Sequence, residues 1–189
     1  MPPQPRPEPP ADRDGLDRVK LERLRSLLHA ILPHNRFYAA KLPAAAGRIA
    51  SLEELGGWPF TTKDELVTAA TDGRPGNLTW PVERYVRFHR TSGTRGRPLP
   101  ALDTADDWNW WMACWEEILA RAGVRPGDRV LVASSFGPYA GVWSCFDGVV
   151  RRGAMAIPAG GLSTPARLEL ARSAGATVVV ATPSYALHL

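Results

Sequence analysis

Cysteine and lysine are scarce in this 189-residue chain, and long apolar runs are missing altogether. Its two cysteines, Cys114 and Cys145, are too few and too isolated for a zinc site or a disulfide framework, so no metal site is predicted. Both are expected as buried thiols on helices, which suits a reducing cytoplasm. No stretch is apolar enough to span a bilayer, and Met1 to Pro10 carries prolines and polar groups where a signal peptide would need an apolar core. The expectation is a cytoplasmic protein with no membrane partner, in which Asn77-Leu78-Thr79 is a chance glycosylation sequon. Two nucleotide-binding spacings are also absent, the Gly-x-x-x-x-Gly-Lys-Ser/Thr loop and the Gly-x-Gly-x-x-Gly fingerprint. With Lys20, Lys41 and Lys63 the only lysines, the net charge of +4 rests mostly on arginine.

What remains is the composition of a folded domain: 44% hydrophobic and 22% charged residues, in a chain long enough to bury a sizeable core. Prolines before about Arg13 block both helix and sheet, so residues 1–13 read as a disordered leader. Leu16, Val19, Leu24, Leu27, Leu28 and Ile31 then recur at helical spacing up to Pro33, and Phe37 to Leu42 continues the helical pattern. His29 and His34 near that helix end read as solvated or capping groups. Thr62 and Glu65 form a capping-box signature for a further helix, and Asp72 to Pro81 reads as a loop. Residues 14–80 are thus expected as a helical N-terminal region.

From residue 81 to 189 the plan changes. After Pro98, Leu99 to Leu102 reads as a return strand, and Asp103 or Thr104 opens a helix through Trp108, Trp111, Met112, Trp115, Ile118 and Leu119, whose aromatic stripe reads as core. Short β-branched strands at Arg129–Ala133, Ala154–Pro158 and Thr177–Ala181 alternate with helices at Val142–Arg152 and Pro165–Ala174. This βαβαβ order over residues 128–182 predicts an α/β fold with a parallel sheet, preceded by helices and a Gly-rich hairpin loop. Ligands of such sheets sit beyond the strand C-termini. Two loops leave there, Ser134 to Gly141 and Ala159 to Thr164.

The most informative stretch is Tyr85 to Pro98. Alternation from Tyr85 to His89 reads as a strand that runs into Thr91-Ser92-Gly93-Thr94-Arg95-Gly96-Arg97-Pro98. Gly93 and Gly96 can take positive φ and let backbone N–H groups approach a ligand. Thr91, Ser92 and Thr94 add short hydroxyl donors, and Arg95 and Arg97 add planar cations that match phosphate geometry. The set reads as a polyphosphate cradle, although an ordinary polar turn has a similar make-up. The arginines of this window, with Tyr85 and Phe88 between them, could also follow a nucleic-acid backbone, but no second basic stripe or recognisable motif supports a nucleic-acid partner.

Thr91 to Pro98 resembles the Ser-Ser-Gly-Thr-Thr-Gly-Lys-Pro loop of the adenylate-forming (AMP-binding) enzymes. Trp58-Pro59-Phe60-Thr61-Thr62-Lys63-Asp64-Glu65-Leu66, Ile157-Pro158-Ala159-Gly160-Gly161 and Thr182-Pro183-Ser184-Tyr185-Ala186-Leu187 resemble the phenylacetate-CoA ligase branch in particular, so the similarity runs from about Leu32 to Leu189. The resemblance implies the N-terminal part of an ATP-dependent aryl- or acyl-CoA ligase, with residues 81–189 an incomplete AMP-binding domain. Such an enzyme activates a carboxylic acid, here expected to be aryl, as an acyl-adenylate and passes it to coenzyme A. ATP, Mg2+ and coenzyme A are the implied co-substrates. The resemblance assigns the ATP phosphates to Thr91, Ser92, Gly93, Thr94, Arg95, Gly96 and Arg97, and the acyl pocket to Phe136, Gly137, Tyr139, Ala140 and Gly141. Its catalytic lysine belongs to a C-terminal domain beyond Leu189. Arg95 stands where the family has threonine, and Thr91 where it has serine. A non-catalytic remnant of the same fold that binds a partner is the alternative, and a second polypeptide completing the enzyme is a possible partner of either.

Overall fold

A computed structural model of the chain describes residues 12–70, 74–93 and 96–189. Most of the expected leader, and Thr94 and Arg95 of the Gly-rich loop, lie outside the described residues. The chain divides into two compact units, Met1–Pro81 and Val82–Leu189.

In the first unit α1 (Arg13–Ile31) begins where the Asp12 carboxylate accepts the Gly15 N–H, so Asp12 and Arg13 belong to the helix and not to the leader. Its apolar stripe packs narrowly: Leu28 is buried, whereas Leu16 and Leu27 stay exposed. Arg25 fastens α1 to the following turn by donating to the Ile49 and Ala50 carbonyls. The expected continuation of this helix is a separate α2 (Arg36–Lys41), because buried Asn35 restarts the chain. The Asn35 side chain accepts the Tyr38 N–H while its amide donates to the Asn77 carbonyl and the Thr79 hydroxyl, so one residue caps a helix and pins a loop. The segment Leu52–Gly57 forms a 3-10 turn, and α3 (Lys63–Ala69) starts with the expected reciprocal cap between Thr62 and Glu65. Lys41 pairs with Glu65, and together with the Thr62 N–H this holds the carboxyl down to about 2.

In the second unit β1 (Tyr85–Arg90) and β2 (Pro100–Thr104) pair antiparallel, with Arg90 opposite Pro100 and the Gly-rich loop at the tip. Arg87 and His89 point to the inner face of β1, and Val86 and Phe88 stay exposed on the other. Strand β2 passes directly into α4 (Ala105–Arg121), capped reciprocally by Thr104 and Asp107. Its Trp108, Met112 and Leu119 are buried, but Trp111 and Trp115 are only half-buried and Ile118 is exposed, so the expected core stripe is core in part. Next come β3 (Arg129–Val132), α5 (Ala140–Arg151), β4 (Met155–Pro158), α6 (Thr164–Ser173), β5 (Val178–Val180) and the short α7 (Pro183–Ala186).

These strands form the expected parallel sheet, in the order β4-β3-β5. Successive residues of β3 face opposite sides and both sides are covered. Val130 packs with Leu119, Cys145 and Val149 from α4 and α5, while Leu131 packs with Ile157 and with Leu170 and Ala171 of α6. Cys145 is buried, and its thiol is pushed up to about 11 by that burial. Cys114 is only partly buried, contrary to expectation, because it lies off the inward face of α4.

Candidate active site

The geometry follows from strand order. Since β4 and β5 flank β3 on opposite sides, the connections after β3 and β4 diverge at the C-terminal end of the central strand, the usual place for a ligand crevice. Val132 is in register with both Pro158 and Val180, so the three following loops leave the sheet at one level.

The loop after β3 is held by aromatic contacts. The Phe136 ring meets Trp143 at 5.0 Å and Phe146 at 5.5 Å, both edge to face, and the Trp143 indole N–H donates to the Gly137 carbonyl at 2.9 Å. Phe136 therefore rests against the first turns of α5, whereas Tyr139, just before that helix, is exposed. A side chain at Gly137 would strike the Tyr139 ring at 2.8 Å; at Gly141 it would meet nothing within 4 Å. Ala140 opens α5 itself. The loop after β4 fits against the first one at Gly160, where a Cβ would fall 2.5 Å from Phe136 Cδ2 and 2.8 Å from the Ser134 carbonyl oxygen. Buried Arg167 steadies this second loop by donating to the Ala159 carbonyl at 2.9 Å while lying over the Tyr185 ring. Nothing in the sequence around Trp143, Phe146 or Arg167 marks them for a site, and only the fold brings them to these loops.

In the Gly-rich loop, Thr91 N–H donates to the Leu99 carbonyl and the Thr91 hydroxyl accepts the Leu99 N–H, each at 3.0 Å. Thr91 thus closes the neck of the hairpin and keeps one O–H proton to donate. Gly93 has φ +71°, and its carbonyl accepts the Gly96 N–H at 3.0 Å, so that N–H is spent within the loop. Gly96 lies at φ +142°, while Ser92 and Arg97 are exposed. The hairpin also meets the loop after β3 directly, because the Arg90 N–H donates to the Pro138 carbonyl at 2.8 Å, between the candidates Gly137 and Tyr139.

Behind the loop, His89 is buried and stacked on Trp108 at 5.2 Å, with neither ring nitrogen hydrogen-bonded. Burial pushes its pKa down; Asp103 opposes the shift and Arg87 adds to it. Burial also raises the Asp103 carboxyl, against the influence of His89. At 3.7 Å the Asp103 carboxylate is too far from Nε2 for a hydrogen bond, and the contact is ionic only when the ring is protonated.

No family model matches the chain. The phenylacetate-coenzyme A ligase of Pseudomonas putida is 36% identical to it over 183 residues, 95% of this chain and 41% of the relative. The Escherichia coli enzyme of the same name is 31% identical over the same share. Among solved structures, 2-hydroxyisobutyryl-CoA ligase in complex with its acyl-AMP and CoA superposes with a TM-score of 0.84 at 30% identity, over 94% of this chain and 39% of that one. The fold is that of the N-terminal part of an adenylate-forming ligase. The chain spans about two fifths of the length of these relatives. Its similarity to the phenylacetate-CoA ligases extends over nearly all of its residues, not only over the Gly-rich loop.

Proposed function

We propose that this chain forms the phosphate-binding and acid-binding part of an ATP-dependent acyl-CoA ligase acting on an aryl carboxylic acid in the cytoplasm. In the adenylation step a carboxylate oxygen bonds to the α-phosphorus of ATP and the bond to the β-phosphate oxygen breaks, releasing pyrophosphate. In the second step the coenzyme A thiol attacks the acyl carbon, forming the thioester and expelling AMP. The observation that carries the reading is the hydrogen bond from Arg90 N–H to the Pro138 carbonyl, which holds the Gly-rich loop beside the aromatic loop at the end of the central strand.

In this reading Thr91, Ser92 and Gly93, with Thr94, Arg95, Gly96 and Arg97, take the β- and γ-phosphates and stabilise the negative charge of departing pyrophosphate. Phe136 and Tyr139 flank the acid, and Gly137, Ala140 and Gly141 leave it room. No three carboxylate, imidazole or thiol groups gather into a metal site among the described residues. Magnesium would come with ATP, bound to the substrate's own phosphates. The catalytic group and the rest of the nucleotide pocket come from a further stretch of polypeptide, on this chain's continuation or on a second one.

The test is acid-dependent acyl-adenylate formation, followed by mass spectrometry. The 189-residue chain is mixed with magnesium-ATP, a panel of aryl and alkyl acids, and a polypeptide comprising the remaining three fifths of the Pseudomonas putida relative. Acyl-AMP that depends on an aryl acid and on this chain supports the reading. Its absence from a folded, associated mixture contradicts it.

A further inference from the structure

The side chain of Asp147, on α5, collects two donors from two other elements onto one oxygen. Arg87 of β1 donates to Oδ2 at 2.8 Å, and the indole N–H of Trp108 of α4 donates to the same atom at 2.9 Å. The two donors also touch each other, with the Arg87 guanidinium 4.6 Å from the Trp108 ring centroid. Two positions along the same face of β1, His89 stacks on that ring as well. The inner face of the strand is therefore seated on Trp108, and Asp147 holds both groups to α5. Arg87 neutralises the carboxylate in a site where each partner is only partly exposed, which makes these hydrogen bonds charge-assisted.

We propose that Asp147 is a positioning residue, which through Arg87 and Trp108 fixes the Gly-rich loop against the loop after β3. Three residues beyond Arg87, Arg90 makes the hydrogen bond to Pro138, and two residues beyond Pro138 α5 begins. Asp147 lies two turns into that helix, so β1 and α5 are joined twice, once at the loops and once at Asp147. A β-strand pinned at Arg87 and His89 delivers Arg90 and Thr91 in a fixed place. Without the inner attachment, more of the placement of the Gly-rich loop falls on the hydrogen bond to Pro138. An ion pair between α4 and α5, Arg151 with Glu116 at 2.9 Å, provides a control, since both its residues lie on those helices and neither on β1. The inference rests on the proposed function for its catalytic meaning, but the attachment itself can be read without nucleotide.

The experiment is amide hydrogen exchange by NMR on the 189-residue chain, paired with calorimetric titration of magnesium-ATP, for wild type, Asp147→Asn, Arg87→Gln, the double variant and Glu116→Gln. Asp147→Asn and Arg87→Gln are each expected to speed exchange at Arg90 and Thr91 at least tenfold, with Val130 and Leu131 of the central strand unchanged, and to weaken magnesium-ATP about tenfold. The double variant should add little beyond Asp147→Asn, because both changes remove the shared contact between Arg87 and Asp147. Glu116→Gln should leave Arg90 and Thr91 as they were. Unchanged exchange at these amides in Asp147→Asn, equal acceleration in Glu116→Gln, or faster exchange with undiminished ATP affinity would each overturn the inference. Were the wild type to bind no ATP, the phosphate reading of the loop would fail on its own, and the exchange comparison would still decide whether Asp147 holds the strand.

Discussion

Gly160→Ala is the sharpest test of how the two loops at the sheet end fit together. An added methyl would lie 2.5 Å from Phe136 Cδ2, 2.8 Å from the Ser134 carbonyl oxygen and 2.9 Å from the Phe136 backbone N. Two of those three atoms are backbone, so a side-chain rotation alone cannot relieve the overlap, and the segment 134–136 has to move by most of an ångström. Overpacking of this kind costs about 1–3 kcal/mol, and the backbone involvement puts the expectation near ~2 kcal/mol. Displacing Phe136 also disturbs its edge-to-face contact with Trp143, which is worth about 0.5–1.5 kcal/mol. The assay is urea and thermal unfolding of the variant beside Gly141→Ala. The latter puts the same methyl in the first turn of α5, where nothing lies within 4 Å. Gly160→Ala should lower the melting temperature by about 8 °C, taking roughly 4 °C per kcal/mol. Gly141→Ala should be neutral or stabilising by up to about 1 kcal/mol, because alanine is the better helix former. Equal stability of the two variants would refute the close fit at Gly160.

Two further perturbations probe the layers beneath. At Gly148, where α5 crosses α4, an added Cβ would sit 2.5 Å from Trp115 Cβ, so Gly148→Ala should destabilise by about 1–2 kcal/mol in urea titration even after the gain in helix propensity, and a neutral result would mean the helices cross farther apart. For His89 the folded state disfavours the proton, so its contribution to stability is complete above the unfolded pKa of about 6.5 and is lost as pH falls toward the depressed folded value. Raised Asp103 acts in the opposite sense, and its relief comes only in the more acidic range where that carboxyl takes up a proton. The urea midpoint of the wild type should therefore drop between pH 7.5 and 5.5, and His89→Phe should reduce the drop; an identical drop in both would remove His89 from the effect.

The parts of this fold that could be read from the sequence are those determined by neighbours in the chain. The Thr62 and Glu65 cap, the β-branched triplet Val178–Val180 and the glycine and proline turns depend on residues a few places apart. The structure agrees with them. The turns of the helical stripes were legible too, but not their depth of burial, since Leu27 and Cys114 have apolar character and still lie partly or wholly open. What escaped the sequence reading is long-range. Asp147 finds Arg87 sixty residues away and Trp108 thirty-nine away, and nothing near Asp147 marks it. The Gly-rich loop illustrates both sides. Its glycines at 93 and 96 do take positive φ, yet the Gly96 N–H and one side of the Thr91 hydroxyl are used to hold the hairpin.

Titration of magnesium-ATP into the folded 189-residue chain, wild type beside Gly93→Val, tests the phosphate cradle most directly. Gly93 stands at φ +71°, and any Cβ there would come within 2.9 Å of the Gly96 carbonyl oxygen and 3.0 Å of the Pro98 backbone N, so valine must reshape the loop and leave the parallel sheet intact. The account predicts measurable magnesium-ATP binding by the wild type and at least a tenfold loss in a Gly93→Val chain that still unfolds cooperatively. A well-folded wild type that binds no magnesium-ATP even with the remaining three fifths of the Pseudomonas putida relative added, or a Gly93→Val variant that binds it equally well, would contradict the claim that this loop holds the phosphates.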